Sequence, residues 1–274
     1  TVAVAGRPLP RALARHAAEL AGSEAEALTL LRQEHLVRSR GTGEDSAIEP
    51  YHDRIREAVL AALPNWRLRD RHLRLALALE GGRQADPEAL TEHFCGAGHL
   101  PRAGEYAALA AAQAADALAF DRAAMLYRLA LRLRPEAPAE EGRRVRAALA
   151  EALANAGRGL EAAEAYGEAA AVASGSDALE LRRLSAEHLL RSGHFEQGMA
   201  ALRLVLAEVD MRIPATPRAA LLSLLARRTR VRFRGTQWTE RSGSEVAALA
   251  RFRVDLCWSV AVGLAMIDPI RGSD

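Results

Sequence analysis

Apolar residues beyond about position 64 recur at the spacing of an amphipathic helix. In the stretch that begins at Phe120, the apolar residues share one stripe and most charged residues lie on the opposite side. Asp86 and Thr216 each stand before a proline, and Asp177 follows a small polar stretch, so all three are candidate helix caps. No segment in this part alternates like a strand, and the pattern therefore predicts an all-α array.

Residues 1–64 have a different pattern, in which two short alternating stretches interrupt the helices. The predicted elements are helices over residues 9–20 and 24–34, strands over 36–40 and 48–52, and a helix over 53–63. Ser23 and Asp53 are candidate N-caps for two of these helices. Glycines in residues 41–45 permit the positive φ angles of a tight hairpin. This order of elements predicts a winged-helix-like module with one β-hairpin.

The helical stripe that begins at Phe120 occurs twice more along the chain. The three copies are Phe120, Ala123, Tyr127, Ala130 and Pro135, then Gly159, Ala162, Tyr166 and Ala169, then Phe195, Gly198, Leu202 and Val205. Each copy follows another predicted helix, over residues 103–118, 141–155 and 177–191. A small residue lets the two helices of a pair approach closely, and a bulky residue one turn later fills the gap.

Residues 119–135, AFDRAAMLYRLALRLRP, resemble the tetratricopeptide repeat (TPR), a helix pair of about 34 residues. They carry its aromatic, small residue, second aromatic, Ala-Leu pair and closing proline in register. The resemblance implies a TPR-like α-solenoid of antiparallel helix pairs. The predicted segments are a winged-helix-like module at 1–64, a linker helix at 65–82, TPR-like repeats at 83–236, and the start of a further repeat at 237–274.

The composition narrows the chemistry that this chain can perform. It contains 60 alanines, 37 arginines and no lysine. Abundant alanine with few aromatic residues favours close-packed helices. Without lysine, the chain holds no P-loop, no kinase strand lysine and no Schiff-base amine. We therefore predict that it is not itself an enzyme and carries no cofactor, and its formal charge of +2 indicates no general attraction to nucleic acid or membranes.

The two cysteines and the apolar C-terminal segment indicate the cellular compartment in which the chain is expected to work. Cys95 and Cys257 lie far apart and predict no disulfide framework, which favours a reducing cytoplasm. Residues 256–267 are apolar but fall short of the roughly 20 residues that a membrane span needs. We expect them to form a helix in which Cys257 and Trp258 are buried against a missing repeat, with no membrane association. The abrupt end at residues 270–274 leads us to expect a piece of a longer protein.

Residues 51–59, YHDRIREAV, form the sharpest local motif. The second predicted strand delivers His52 to the start of a helix that Asp53 can cap, where an imidazole can donate a hydrogen bond to a phosphate oxygen of a neighbouring domain. The same residues also fit a strand-end histidine beside an ordinary helix cap. The motif resembles the His-Asp element that closes the winged-helix domain of STAND-type regulatory ATPases, which are signalling relatives of AAA proteins. That resemblance implies that His52 and Asp53 sense the nucleotide's phosphates and hold the off state.

Two other groups of residues are weaker candidates. His93, Cys95 and His99 do not have the spacing of a zinc site, so we predict no metal site there and a glycine-capped helix end instead. Residues 227–234, RRTRVRFR, with Trp238 close behind, fit a surface for an acidic partner or a phosphate backbone. Such a run is more often the exposed end of a helix, where arginines also favour the helix dipole.

A wing that ends in this motif and precedes degenerate TPRs is similar to one architecture in particular. In it, large bacterial proteins join an N-terminal serine/threonine kinase to a STAND-type ATPase and a long TPR array. Residues 86–94, 118–124 and 257–264 resemble that group's linker, first repeat and later repeat. The resemblance implies a parent that binds ATP or ADP with Mg²⁺ through motifs upstream. This chain would be its regulatory, interaction and sensor arm, contacting the upstream ATPase domain and binding a protein partner or small effector on the solenoid's concave face.

Three alternatives remain at this point. A STAND-type ATP-dependent transcription regulator would share this middle region but carry a DNA-binding domain elsewhere. DNA binding by the winged helix itself would need basic helices, yet residues 9–20 and 24–34 carry more acidic than arginine residues, so we do not expect a nucleic-acid partner. A free-standing TPR scaffold would begin with its own methionine and end in a polar helix, unlike Thr1 and the apolar terminus.

Overall fold

The computed structural model describes residues 1–19, 23–41, 46–82, 85–214, 216–235 and 246–264. In this described part the chain is mostly helical, with fourteen helices and one three-stranded sheet. The chain divides into two compact units, the first made of Thr1–Ala117 and Met125–Glu136 and the second of Leu118–Ala124 and Ala137–Asp274. The predicted segment boundaries at 64, 82 and 236 stay predictions.

The first unit contains the sheet and the helices that surround it. Its elements are α1 Val2–Ala5, β1 Leu9–Pro10, α2 Arg11–Ala18, α3 Glu24–Gln33, β2 Val37–Arg40, β3 Ala47–Pro50, α4 Asp53–Ala62, α5 Asn65–Glu80, α6 Pro87–Ala97, α7 Leu100–Asp116 and the later part of α8 Phe120–Leu133. The described residues after position 64 form helices and no strand.

The predicted hairpin is confirmed, and a third strand joins it. Strands β2 and β3 pair antiparallel with Val37 opposite Pro50, and β1 pairs antiparallel with the other edge of β3. Gly41 has a φ of 88°, the left-handed conformation expected of a glycine at this turn, while residues 42–45 lie outside the described part. Strand β1 was not predicted, because its two residues form a strand only through pairing with β3.

One apolar core joins the sheet to the helices of the first unit. It contains Leu9 and Ile48 from the sheet, Leu28 from α3, and Leu75 from α5, all of them buried. Helix α5, predicted as a linker, thus contributes to the same core as the sheet. Burial of such side chains is the main source of stability in a module of this size.

The second unit is an array of helices. It contains the first residues of α8, followed by α9 Ala139–Asn155, α10 Gly159–Ala171, α11 Gly175–Arg191, α12 Phe195–Glu208, α13 Pro217–Arg234 and α14 Ala248–Leu264. Helix α10 packs against α9 and α11, and α11 packs against α12 and α14. Because short turns join helices that pack along one another, α9–α10 and α11–α12 form antiparallel hairpins.

The same turn joins the helices of each hairpin. Gly157 and Gly193 follow α9 and α11 with φ angles of 77° and 87°, and the next residue donates its backbone N–H five residues back, from Arg158 to Leu153 and from His194 to Leu189. This is the Schellman arrangement that ends many helices. Before α8, Leu118 stands at the corresponding position with a φ of 60°.

Corresponding positions of the three predicted copies are buried alike. The small residues Ala123, Ala162 and Gly198 are buried at the second position, and Tyr127, Tyr166 and Leu202 are buried one turn later. At Gly198 a Cβ atom would lie 2.8 Å from the Leu190 side chain, so the two helices are too close for a larger residue. Phe195, by contrast, is 42% exposed, and Pro135 is exposed.

The observed N-caps agree with some of the predicted cap residues and differ from others. The Asp86 side chain accepts from the backbone N–H of Glu88 at 3.0 Å, and the Thr216 hydroxyl accepts from that of Ala219 at 3.3 Å, as predicted. Asp177 does not cap α11, which begins two residues earlier with Ser174 at its N-cap. Ser23 occupies the N-cap position of α3 without a side-chain hydrogen bond.

The buried helix predicted near the end of the chain is buried on one side only. Leu256 and Val260 of α14 are buried, whereas Cys257 is exposed and Trp258 is 72% exposed. Cys257 and Trp258 are predicted to pack against a further repeat, and that packing stays a prediction. Residues 265–274 lie outside the described part.

Candidate functional site

A cleft in the first unit lies where β3 ends and α4 begins. Its volume is about 220 Å³, and it is lined by Gly6, Arg7, Pro8, Arg38, Glu49, Pro50, Tyr51, His52, Asp53 and Arg56. Both predicted sensing residues therefore line the same cleft. Three arginines and two carboxylates share it with the imidazole.

Local backbone structure positions His52 at the mouth of this cleft. Tyr51 donates its backbone N–H to the carbonyl of Leu36 at 3.0 Å, which ties the end of β3 to the chain before β2. His52 then has an extended conformation and its carbonyl accepts the backbone N–H of Ile55 at 3.0 Å, the first bond of α4. Its side chain is exposed.

The prediction that Asp53 caps this helix is wrong by one residue. His52 occupies the N-cap position of α4, and Asp53 is the first helical residue, with no side-chain cap hydrogen bond at this terminus. The first backbone N–H groups of any helix have no acceptor within that helix and carry the positive end of its dipole. A terminus without a side-chain cap leaves these donors available to an external acceptor.

The three arginines of the cleft differ in their partners. Arg38 donates through Nε to Glu49 at 2.7 Å, and Arg7 donates through Nη1 to Asp86 at 2.6 Å. The Nε of Arg56 is buried and has no hydrogen-bond partner, and no ion pair with a described residue involves its guanidinium. The exposed carboxylate of Asp53 lines the same cleft and offsets part of this positive charge.

These groups suit the binding of an anion rather than covalent chemistry. Guanidinium groups stay protonated and donate several hydrogen bonds in a plane, which fits the oxygens of phosphate. The same arginines would repel a metal cation.

Sequence reasoning found His52 and missed the arginines. Arg56 follows His52 by four residues, so helical periodicity alone could have placed it beside the helix start. Arg7 and Arg38 reach the cleft from other parts of the chain, and no local pattern announces them.

A second group that the sequence did not reveal is a pair of histidines between α5 and α6. The Nδ1 atoms of His72 and His93 lie 3.1 Å apart, and His93 is almost fully buried. Burial, followed by the neighbouring His72 and Arg7 charges, lowers the pKa of His93 to about 4. Burial also lowers the pKa of His72, against the opposing charge of Glu92.

The residues considered for a metal site, His93, Cys95 and His99, lie on α6 or just after its end. Helix α6 ends at Ala97 with Gly98 in the left-handed conformation, so the predicted glycine cap is confirmed. His99 packs its ring edge against Phe94, and burial raises the pKa of the Cys95 thiol. Within the described ranges, no three histidine, cysteine or acidic side chains come together as metal ligands.

A buried polar network connects α11 and α14 in the second unit. Ser259 donates to Glu187 at 2.7 Å and accepts from Arg183, which also donates to Glu187 at 2.9 Å and to Glu180. Burial alone would raise the pKa of Glu187, but the Ser259 hydroxyl and the Arg183 charge lower it. The network orients α14 on α11.

Tyr166, a member of the predicted repeat, is buried within the second unit. Its ring stacks on His188 with centroids 5.6 Å apart, and burial raises the pKa of its hydroxyl to about 12. The side chain is neutral at physiological pH and packs as an apolar group. It thus fills the space between helices, as its place in the stripe predicts.

The basic run forms the last two turns of α13. Its arginines are exposed, as expected of a solvated helix end, while Trp238 lies outside the described residues. Val231 and Phe233 between them are exposed as well.

No helix in the described ranges has the length and apolar character to cross a bilayer. Comparison with models of known protein families, with curated proteins and with solved structures finds no match to this chain.

Proposed function

We propose that this chain is the regulatory, interaction and sensor arm of a multidomain, ATP-binding serine/threonine kinase of the cytoplasm. The cleft at the start of α4 carries the proposal. His52 stands there at an uncapped helix terminus beside three arginines, an arrangement that suits a phosphate group presented by a neighbouring domain.

In this proposal His52 reads the nucleotide held by the upstream ATPase domain of the same polypeptide. Its imidazole donates a hydrogen bond to a phosphate oxygen, and the first backbone N–H groups of α4 point at the same charge. ADP and ATP present different phosphates, so the cleft engages one state more tightly and biases a two-state equilibrium. Mg²⁺ belongs to the parent's catalytic domains, because the arginines here disfavour a cation.

The helical array supplies the interaction part of the arm. Repeated turns at Gly157 and Gly193 and equal burial at Ala162 and Gly198 support a TPR-like solenoid of antiparallel helix pairs. The module before it, with its hairpin and helices, is proposed as the winged-helix end of the ATPase. A protein partner or small effector bound by the solenoid would shift the arm against the ATPase core.

The test is a substitution in the parent protein. His52→Ala is expected to weaken the difference between the ADP and ATP states, which raises basal ATP hydrolysis and kinase signalling severalfold. His16→Ala is the matched control, since His16 is an exposed histidine of the same module outside the cleft. A His52→Ala parent that hydrolyses ATP and signals like the wild type would refute the sensor role.

A further inference from the structure

A cavity separate from the cleft at the start of α4 is lined by residues of α1, α2, α3, α4 and the β2–β3 hairpin. Its volume is about 270 Å³, and among the described residues Pro50 alone lines both this cavity and the cleft. Close packing in protein interiors leaves few voids larger than a water molecule. A space of this size beside the core therefore has room for a small molecule.

Most of the cavity wall is aliphatic. Ala14, Leu28 and Ile48 line it and belong to the buried core of the first unit. Leu31 and Val59 also line it and are 37% and 40% exposed, so the cavity opens to solvent beside them. No aromatic side chain of the described part is among the lining residues. The wall therefore suits an aliphatic chain and offers no ring on which an aromatic ligand could stack.

Helix α4 gives independent support for a ligand in this space. None of its residues is buried, although Ile55 and Val59, one helical turn apart, line the cavity. A helix at a protein surface normally buries its apolar stripe against a neighbouring element. An apolar molecule in the cavity would cover these two side chains, which the fold itself leaves without close packing.

The size of the cavity restricts the class of ligand. An apolar cavity of about 150 Å³ holds a benzene ring, so a cavity nearly twice as large holds roughly ten carbon atoms. A helix of a partner protein is about 10 Å wide and does not fit. An extended peptide would lose the hydrogen bonds of its backbone against an aliphatic wall.

The two arginines that line the cavity share one carboxylate. Arg11 donates through Nε to Glu24, whereas Nη1 of Arg15 lies 3.7 Å from the other oxygen of the same group. The Arg15 side chain is 60% exposed, so its donors are available to a second carboxylate at the mouth of the cavity. Thr1 lines the cavity as well, and burial, followed by the Arg71 charge, lowers the pKa of its amine. This excess of positive charge complements a ligand with a single negative charge at one end.

We propose that this cavity binds an aliphatic monocarboxylate of about ten carbon atoms, with its chain against Leu28 and Val59 and its carboxylate beside Arg15. The chain is held by burial of its CH₂ groups, and the guanidinium selects the charged end. The site is separate from the proposed function, because the role of His52 neither depends on it nor follows from it.

Isothermal titration calorimetry on the 274-residue chain tests the proposal with decanoate, octanoate, decanol and decylammonium at low ionic strength and below their micelle concentrations. Decanoate is expected to bind most tightly. Octanoate should bind about fifteenfold more weakly, since each buried CH₂ contributes about fourfold in affinity. Tetradecanoate exceeds the cavity and should bind no more tightly than decanoate. An affinity that keeps rising with chain length would show nonspecific association and overturn the proposal.

Ala27→Leu fills the cavity from α3, because Ala27 is part of its wall. Decanoate binding should fall at least about tenfold, and the Tm without ligand should be no lower than that of the wild type, since the added methyl groups occupy empty space. Decanoate should raise the Tm of the wild type but not that of Ala27→Leu. Ala25→Leu is the matched control, at an exposed alanine of the same helix outside the cavity. An Ala27→Leu chain that keeps the wild-type affinity for decanoate would overturn the site.

Arg15→Met tests the position of the carboxylate. It should weaken decanoate binding about fivefold and leave decanol binding unchanged. Arg54→Met is its control, at an exposed arginine outside the cavity. Acetylation of the Thr1 amine should preserve the preference for decanoate over decanol. If acetylation removes that preference while Arg15→Met retains it, the placement beside Arg15 is wrong, and no measurable binding of decanoate to the wild type would reject the site.

Discussion

Two arginines, one in each unit, have buried guanidinium atoms that meet opposite surroundings. Arg183 of α11, with its side chain 11% exposed, donates to Glu180, Glu187 and Ser259. Arg56 of α4 has a buried Nε with no partner at all. Because a guanidinium stays charged, the fold must either supply acceptors or leave donors for another molecule. The first arrangement joins helices, and the second leaves a buried donor unpaired.

His93 shows a third way to bury a basic group. Its ring is enclosed between α5 and α6 and lies against His72, where its pKa of about 4 keeps it neutral. A histidine can escape the cost of burial by releasing its proton, which an arginine cannot do. The three residues therefore differ in what their removal should do to the free energy of unfolding.

The largest effect is expected at Arg183. Arg183→Met removes the guanidinium that pairs with Glu180 and Glu187 and donates to Ser259, so the free energy of unfolding in urea should fall by about 4 kcal/mol. The neighbouring Arg182, exposed and paired with Glu208, serves as control, and Arg182→Met should cost less than about 1 kcal/mol. Equal losses for the two variants would show that the network between α11 and α14 contributes no special stability.

An effect of similar size is expected on acidification, through His93. Its pKa is about 4 in the folded chain against 6.5 in the unfolded one, so the unfolded state binds the proton more tightly. The free energy of unfolding should therefore have its full value above pH 6.5 and fall by about 3 kcal/mol as the pH drops toward 4. The charges of His72 and Arg7 act on His93, and that of Glu92 acts on His72, so these groups modify how steeply stability falls with pH.

Urea unfolding at a series of pH values measures this dependence. His93→Leu should flatten the difference between neutral and acidic pH, whereas His16→Leu, at an exposed site on α2, should retain the wild-type slope. If His93→Leu is as sensitive to acid as the wild type, another group causes the loss and the histidine pair is neutral packing.

The smallest effects concern the joints between helices, where leucine and glycine occupy the same backbone conformation. Gly193 has a φ of 87° and Leu118 a φ of 60°, and Leu118 is 73% exposed. Gly193→Ala should lower stability by about 1 kcal/mol, and Leu118→Gly should raise it by about 0.5 kcal/mol. Thermal unfolding resolves both, and a destabilised Leu118→Gly would mean that the leucine side chain makes contacts that outweigh its strained backbone.

The sequence predictions were most accurate where the interacting residues lie close together in the sequence. The hairpin and the caps at Asp86 and Thr216 were correct, because they depend on residues within a few positions of one another. Asp53 and Asp177 were misplaced as caps, since several polar residues near a helix start compete for that position. Helix α1 and strand β1 were missed because they are too short to show a period.

Only part of the candidate site was predicted from the sequence. The motif at residues 51–59 identified His52, and the structure places it in a cleft. The arginines from other segments, and the missing partner of Arg56, depend on which chain segments meet there, so the motif alone could not reveal them.

The sequence by itself determined the helical periodicity, the hairpin, and the stripe of small and bulky residues that begins at Phe120, because each depends on the spacing of nearby residues. Only the tertiary structure decided which groups would find partners. It buried His93 against His72, gave Arg183 three acceptors and gave Arg56 none. Partners come from segments distant in sequence, and the cost of an unpaired charge is set by the surroundings that those segments create.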